Sequence, residues 1–292
     1  MKDRRVVLGA TLALIGLPVA IVPIEAISFY TTNRDNGSFV SSGEKRDYLL
    51  YVPKSYDRSR PTPLVISMHG AGLWGAAQRE TSQWNTLADS AGVIVVYPSG
   101  IGGKGVRVWR AEAGPDLMKD VRFIAELIDT LRASYNIDST RIYANGLSNG
   151  GGMSFVLSCT LSDRIAAVGM VAAAQTLPWR WCNGARAVPM IAFHGTADPA
   201  VPYNGGSSWL TPRPFPSTPR WARIGHEETG AEPTRSNRRS RLTSRVARMR
   251  TVRTTRPWCS TLYREEVTPG LAAVLSRNGS SVARLAASML PV

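Results

Sequence analysis

Cysteine is scarce: three in 292 residues are too few for a scaffold built on disulfides. No window carries sustained heptads or a collagen period, and no segment repeats, so coiled-coil, fibrous and solenoid architectures are excluded. Wholesale disorder is excluded as well, because 43% of the chain is hydrophobic and only 19% is charged. Charge of one sign is missing where it is most visible. Residues 213–292 contain 15 Arg and 5 Glu but no Lys and no Asp. Residues 1–212 hold 20 Lys and Arg against 16 Asp and Glu, so most of the formal charge of +14 belongs to the tail. A basic tail attracts phosphate, but no nucleic-acid recognition motif accompanies it, and nucleic acid is not expected as a partner.

Charge is also absent from Val6 to Ile24, a run of 19 residues that follows the basic start Met1-Lys2-Asp3-Arg4-Arg5. Residues 1–26 therefore read as a signal peptide or an uncleaved membrane anchor, with export as the consequence. Pro18 and Pro23 weaken a continuous helix there. The protein is expected outside the cell, in a periplasm, or anchored at the membrane.

Beyond that start, residues 27–222 read as one domain. Leu64-Val65-Ile66-Ser67-Met68 and Val93-Ile94-Val95-Val96-Tyr97 are continuous apolar runs, the pattern of parallel strands covered on both faces. Arg46–Val52, Arg141–Ala144, Ala166–Ala174 and Met190–Phe193 predict further strands. Ala76 to Ala91 has helical spacing, as do Leu117, Val121, Ile124, Ile128 and Leu131. The alternation of strand and helix predicts a doubly wound, mostly parallel α/β sheet.

Gly146-Leu147-Ser148-Asn149-Gly150 follows a strand and opens a helix. This is the Gly-x-Ser-x-Gly turn, in which small residues let a serine hydroxyl stand clear of the sheet. Ser148 is the candidate nucleophile, and the N–H of Asn149 the candidate donor to an oxyanion. His69-Gly70-Ala71-Gly72 ends an earlier strand and suits a second oxyanion element, with Leu73 as its expected donor and His69 as a loop organiser. Asp198 follows a later strand. In hydrolases with this turn the acid comes after the serine, so Asp198 is the expected partner of a catalytic imidazole. His194, before that acid and on the strand, reads as structural. In an exported protein Cys159 and Cys182 either pair or stay as two buried thiols, and Cys259 is left over.

Taken together, these residues resemble the exported esterases of the polyhydroxybutyrate depolymerase, feruloyl esterase and acetylxylan esterase family. The likeness runs from about Tyr48 to Trp221 and includes Tyr51-Val52-Pro53, Trp84, Tyr97-Pro98, Asp120-Val121-Arg122-Phe123, Ile142 to Gly151, and His194 to Asp198. It implies an α/β-hydrolase fold, Ser148 as nucleophile, Asp198 as triad acid and a Cys159–Cys182 disulfide. It also implies no metal, no cofactor, and a monomer acting on an ester-bearing polymer or small ester. Trp74, Trp84, Trp109, Trp179, Trp181 and Trp209 are candidates for an aromatic platform.

One element of that family is missing. Its members carry the catalytic histidine in a Gly-His-Thr-Trp-Pro-Gly motif, whereas the last histidine here is His226, in Ile224-Gly225-His226-Glu227-Glu228, earlier and in another context. The genetic code supplies a reason. Glu266 to Ala272 can be written GAG GTC ACA CCT GGC CTG GCG. Read from the last base of the first codon, this becomes Gly-His-Thr-Trp-Pro-Gly. The same phase allows Val-Val-Leu-Tyr-Thr over Pro257 to Leu262 and Asn-Gly-Cys over Glu228 to Ala231, both family features. A one-base frame change near Arg223 accounts for all three. Residues 223–292 are then an aberrant, poorly ordered tail, and the hydrolase fold is incomplete at its carboxyl end. The expected function is a serine esterase of doubtful activity as written. The alternative is a non-catalytic polymer- or carbohydrate-binding protein on a hydrolase scaffold.

Overall fold

The computed structural model describes residues 35–103 and 106–229, together with the backbone of three strands further on. The apolar start, Cys259 and the segment after Glu265 lie outside the described residues.

Among the described residues, nine strands and four helices precede residue 200. They run β1 (Gly37–Ser41), β2 (Glu44–Tyr51), β3 (Thr62–Met68), α1 (Gly75–Ser82), α2 (Trp84–Ala91), β4 (Ile94–Pro98), β5 (Ile101–Gly103), β6 (Val106–Val108), α3 (Leu117–Ser134), β7 (Ile137–Leu147), α4 (Asn149–Thr160), β8 (Ala167–Val171) and β9 (Met190–Gly195). A small hairpin, β10 (Gly206–Ser208) and β11 (Thr211–Phe215), leads to α5 (Thr218–Thr229). The last strands are β12 (Pro233–Arg235), β13 (Arg250–Thr254) and β14 (Ser260–Glu265).

The main sheet has ten strands in the order β1-β2-β4-β3-β7-β8-β9-β14-β13-β12. Its centre, from β4 to β14, is parallel, and β2 joins β4 antiparallel. The sheet is therefore covered on both faces. Leu64, Ile66, Met68, Ile94 and Val96 meet α3 and α4 on one face, while Val65, Val95 and Tyr97 meet Trp84 and Ala88 of α2 on the other. That two-sided burial is why these strands are continuous apolar runs. On α3, Leu117, Val121, Ile124, Ile128 and Leu131 form the buried stripe, as the three-and-four spacing predicts.

Two features differ from the sequence reading. The helix expected over 76–91 is two helices, broken at Gln83, which has φ 54° and ψ 28° and ends α1 through its N–H on Arg79 O at 2.9 Å. The break lets the buried Trp84 indole donate to Asn145 Oδ1 at 3.2 Å, tying the outer helix to β7. Residues 223–292 read as an aberrant, poorly ordered tail. Part of it nonetheless joins: Ser260 to Glu265 pairs in parallel with Met190 to Gly195. The physical reason is local. The far side of β9 carries main-chain groups that need partners, and Thr261, Leu262 and Tyr263 are strand formers.

Candidate active site

Ser148 sits where β7 turns into α4. Its φ of 52° and ψ of −116° lie where non-glycine residues are strained, by about 1–3 kcal/mol. The surroundings hold it there. Its N–H donates to Val171 O at 2.8 Å, and its carbonyl accepts from Gly152 and Ala174, each at 3.0 Å. Two glycines make the turn possible by close approach. A Cβ on Gly146 would lie 2.2 Å from the carbonyl of Gly150, and one on Gly150 would lie 2.4 Å from Met68 O. Gly70 faces the same serine, its Cβ position being 3.5 Å from Ser148 Cβ. The His69–Leu73 loop is thus a neighbour of the nucleophile, as its placement after β3 requires.

Asp198 lies three residues past the end of β9. Its Oδ1 accepts from the N–H groups of Ala200 and Val201, both at 2.9 Å, so the acid is held by main chain. Strands β7, β8 and β9 are parallel and in step, with Leu147 level with Val171 and Val171 level with Phe193. Ser148 and Asp198 therefore leave the sheet at the same carboxyl edge, where open α/β sheets bind their ligands.

Neither described histidine side chain can serve Ser148 as a base. His69 is fully buried. Its Nε2 accepts the N–H of Gly100 at 2.8 Å and its Nδ1 lies 2.7 Å from Gly70 O. Only the neutral ring with the proton on Nδ1 satisfies both. Burial lowers its pKa to about 4, and it organises the loop. His194 is buried too: Nε2 donates to Val201 O at 2.8 Å, and Nδ1 lies 3.4 Å from the hydroxyl of Thr218. Burial again lowers its pKa, against the pull of Asp198, whose Oδ2 is 3.5 Å away. His226 falls on α5, and its side chain lies outside the described residues.

The oxyanion donors need one correction. The N–H of Leu73 donates to Gly70 O at 3.1 Å, closing a turn, so it is not available to an oxyanion. The spacing identifies the loop but not which amide faces inward. Asn149 does more than its main chain foretells: its Oδ1 accepts the N–H of Trp109 at 2.6 Å and its Nδ2 donates to Trp109 O at 3.1 Å.

A family model described as esterase PHB depolymerase matches residues 46–195, a span that holds Ser148 and the His69 loop and stops just before Asp198. The chain belongs to that family. A bifunctional acetylxylan esterase/xylanase of Neocallimastix patriciarum is 32% identical to this chain over 168 residues, which are 58% of this chain and 24% of that protein. Feruloyl esterase B of Piromyces equi is 33% identical over 172 residues, or 56% of this chain and 31% of its own length. The match thus spans a third or less of either relative. Among solved structures, an acetyl xylan esterase from Aspergillus awamori superposes with a TM-score of 0.58 at 15% identity, covering 75% of this chain and 87% of that one. An S-formylglutathione hydrolase from Agrobacterium tumefaciens also gives 0.58, at 14% identity over 87% and 94%. These likenesses place the chain in the α/β-hydrolase fold.

Cys159 at the end of α4 is paired with Cys182, with Cα atoms 4.9 Å apart. The pair pins the turn Trp179–Trp181 against α4, where Trp179 packs on Phe155 and Trp221. With the cysteines 23 positions apart in sequence, the chain-entropy account gives about 3 kcal/mol of stability. Urea unfolding of Cys182→Ala beside the parent is expected to show that loss, and coincident curves would contradict it.

Burial of His69 is expected to make the fold labile to acid. A histidine with an ordinary pKa near 6.5 when unfolded and about 4 when folded takes its proton first in the unfolded state. Stability is therefore complete above about pH 6.5 and falls as the pH drops toward about 4, by about 3 kcal/mol in all. His194 adds in the same direction. Urea midpoints measured from about pH 7 to about pH 4 are expected to fall steadily, and less steeply in His69→Gln.

Proposed function

We propose that this chain is, by descent, an exported serine esterase acting on carboxylic esters of a polyester or an acylated polysaccharide. Ser148 Oγ attacks the ester carbonyl carbon, an Oγ–C bond forms, and the alcohol leaves with a proton. Water then attacks the acyl-enzyme, releasing the acid and restoring the hydroxyl. The N–H of Asn149 and that of Ala71, in place of Leu73, stabilise the oxyanion. Ala71 is exposed, and its N–H donates to no group among the described residues. Asp198 stands in the place of the acid that would orient a catalytic imidazole. No metal or cofactor enters the reaction.

The observation that carries this reading is the strained Ser148 turn, wedged against the Gly70 loop on the sheet edge that also bears Asp198. The charge-then-apolar start and the paired cysteines favour export. A polymer would meet Trp209, which is 78% exposed on the β10–β11 hairpin. Trp84, Trp109 and Trp179 are core, and Trp74 and Trp181 are half-buried, so the platform reduces to that hairpin. The chain acts as a monomer.

The absence of an available base among the described histidines favours one competing reading, a non-catalytic polymer-binding protein on this scaffold. A fluorophosphonate separates the two. Slow labelling at Ser148, located by mass spectrometry and absent in Ser148→Ala, is the expected result. A chain that takes no more label than Ser148→Ala supports the binding protein instead.

A further inference from the structure

Trp109 touches both elements that would supply oxyanion donors. Its indole N–H donates to His69 O at 3.0 Å, at the head of the Gly70 loop. Its main chain is gripped on both sides by the Asn149 side chain, at 2.6 and 3.1 Å. Two residues earlier, Arg107 O accepts the N–H of Gly72 at 2.8 Å. Loop and elbow, which also meet directly at Gly70 and Gly150, are therefore both bonded to one residue that belongs to neither.

That residue is in turn anchored by buried charge. Asp120 on α3 is completely buried and Arg46 on β2 nearly so. Asp120 Oδ1 meets Arg46 Nη1 at 2.6 Å, and Oδ2 accepts the N–H of Arg110, next to Trp109, at 2.8 Å. Arg110 also forms a two-armed pair with Glu44, at 2.6 and 2.9 Å. A buried ion network is a poor source of stability compared with apolar packing of the same shape. What this one secures is the position of the Arg110 main chain, and through it Trp109.

We propose that Trp109 and Asp120 are positioning residues that set the gap between the Gly70 loop and the amino end of α4, and so tune the oxyanion site. The inference rests on Ser148 being the nucleophile. Such a site works only with donors 2.7–3.1 Å from the oxygen, and small displacements are costly.

The test uses the full chain. Trp109→Phe keeps an aromatic ring in place and removes the indole N–H together with part of the ring. Its maximal rate of phosphonate labelling at Ser148 is expected to fall by about tenfold to a hundredfold, with the half-saturating concentration unchanged. Amide exchange in residues 69–73 and 147–151 is expected to quicken. Asp120→Asn should act in the same direction. Trp179→Phe is the control, since it loses an indole bond of the same kind, to Trp221 O at 2.7 Å, away from the elbow. It should melt lower without slowing the labelling. Trp109→Phe and Asp120→Asn that label and exchange like the parent would overturn the proposal. So would equal slowing in Trp179→Phe, which would make the effect one of general stability. If the parent takes no label, the Ser148 reading fails, and amide exchange alone decides whether Trp109 holds the loop.

Discussion

Adding one base near the codon for Arg223, the change that the shifted reading requires, is expected to raise hydrolysis of a short-chain aryl ester by about 10⁶. Ser148→Ala should abolish the gain. The size follows from what a base does: removing the histidine of a serine protease costs about that factor, and no described histidine here can take its place. The register of the sheet says where the new imidazole would emerge. β14 ends at Glu265, level with Gly195 at the end of β9. The codons that read Gly-His-Thr-Trp-Pro-Gly in the other phase begin at Glu266, the next residue. A histidine encoded there leaves the sheet at the carboxyl edge, beside the strand whose loop bears Asp198. The same phase keeps a strand-forming stretch, Val-Val-Leu-Tyr-Thr, before it. Equal rates in the written and restored chains would sink the idea and turn attention to His226 or His194.

Gly150→Ala is expected to lower stability by about 3 kcal/mol, a fall in melting temperature of roughly 10 °C for a domain of this size. The added methyl would stand 2.4 Å from Met68 O and 2.5 Å from His69 O. Both are main-chain atoms at the end of a fully buried strand, so neither can swing aside as a flexible side chain would. The start of α4 has to retreat from β3, and Ser148 moves with it. Gly114→Ala is the comparison, because nothing lies within 4 Å of its Cβ position. That variant should melt within about 0.5 kcal/mol of the parent. Circular dichroism melts of the three proteins decide the matter, and a Gly150→Ala curve that overlays the parent would show that the elbow is looser than its contacts imply.

What could be read beforehand follows from which signals are local. β3 and β4 announce themselves because burial on both faces leaves few polar positions in the run. α3 is visible through its stripe, and the elbow through glycines placed where a side chain would strike backbone. The break at Gln83 is not visible, since a glutamine with positive φ leaves no mark in composition. The short hairpins β5–β6 and β10–β11 are too brief for any period to develop. Leu73 shows a finer limit: motif spacing identifies a loop, whereas the direction of each amide depends on a turn bond to Gly70. The clamp of Asn149 on Trp109 spans 40 residues and has no sequence counterpart. The pairing of Ser260 to Glu265 leaves no mark in the sequence for a related reason: it is a property of the partner edge on β9 as much as of the segment itself.

That pairing has a consequence for how the molecule lives in solution. β9 is a straight parallel strand that packs against β8 along one edge and β14 along the other. A chain cut back to residue 222 would present the second edge bare, and a bare edge of that kind recruits whatever strand arrives, most often one from another copy. Loss of the Ser260 to Glu265 strand is therefore expected to be felt first as clumping and poor yield, before any assay of chemistry could be run.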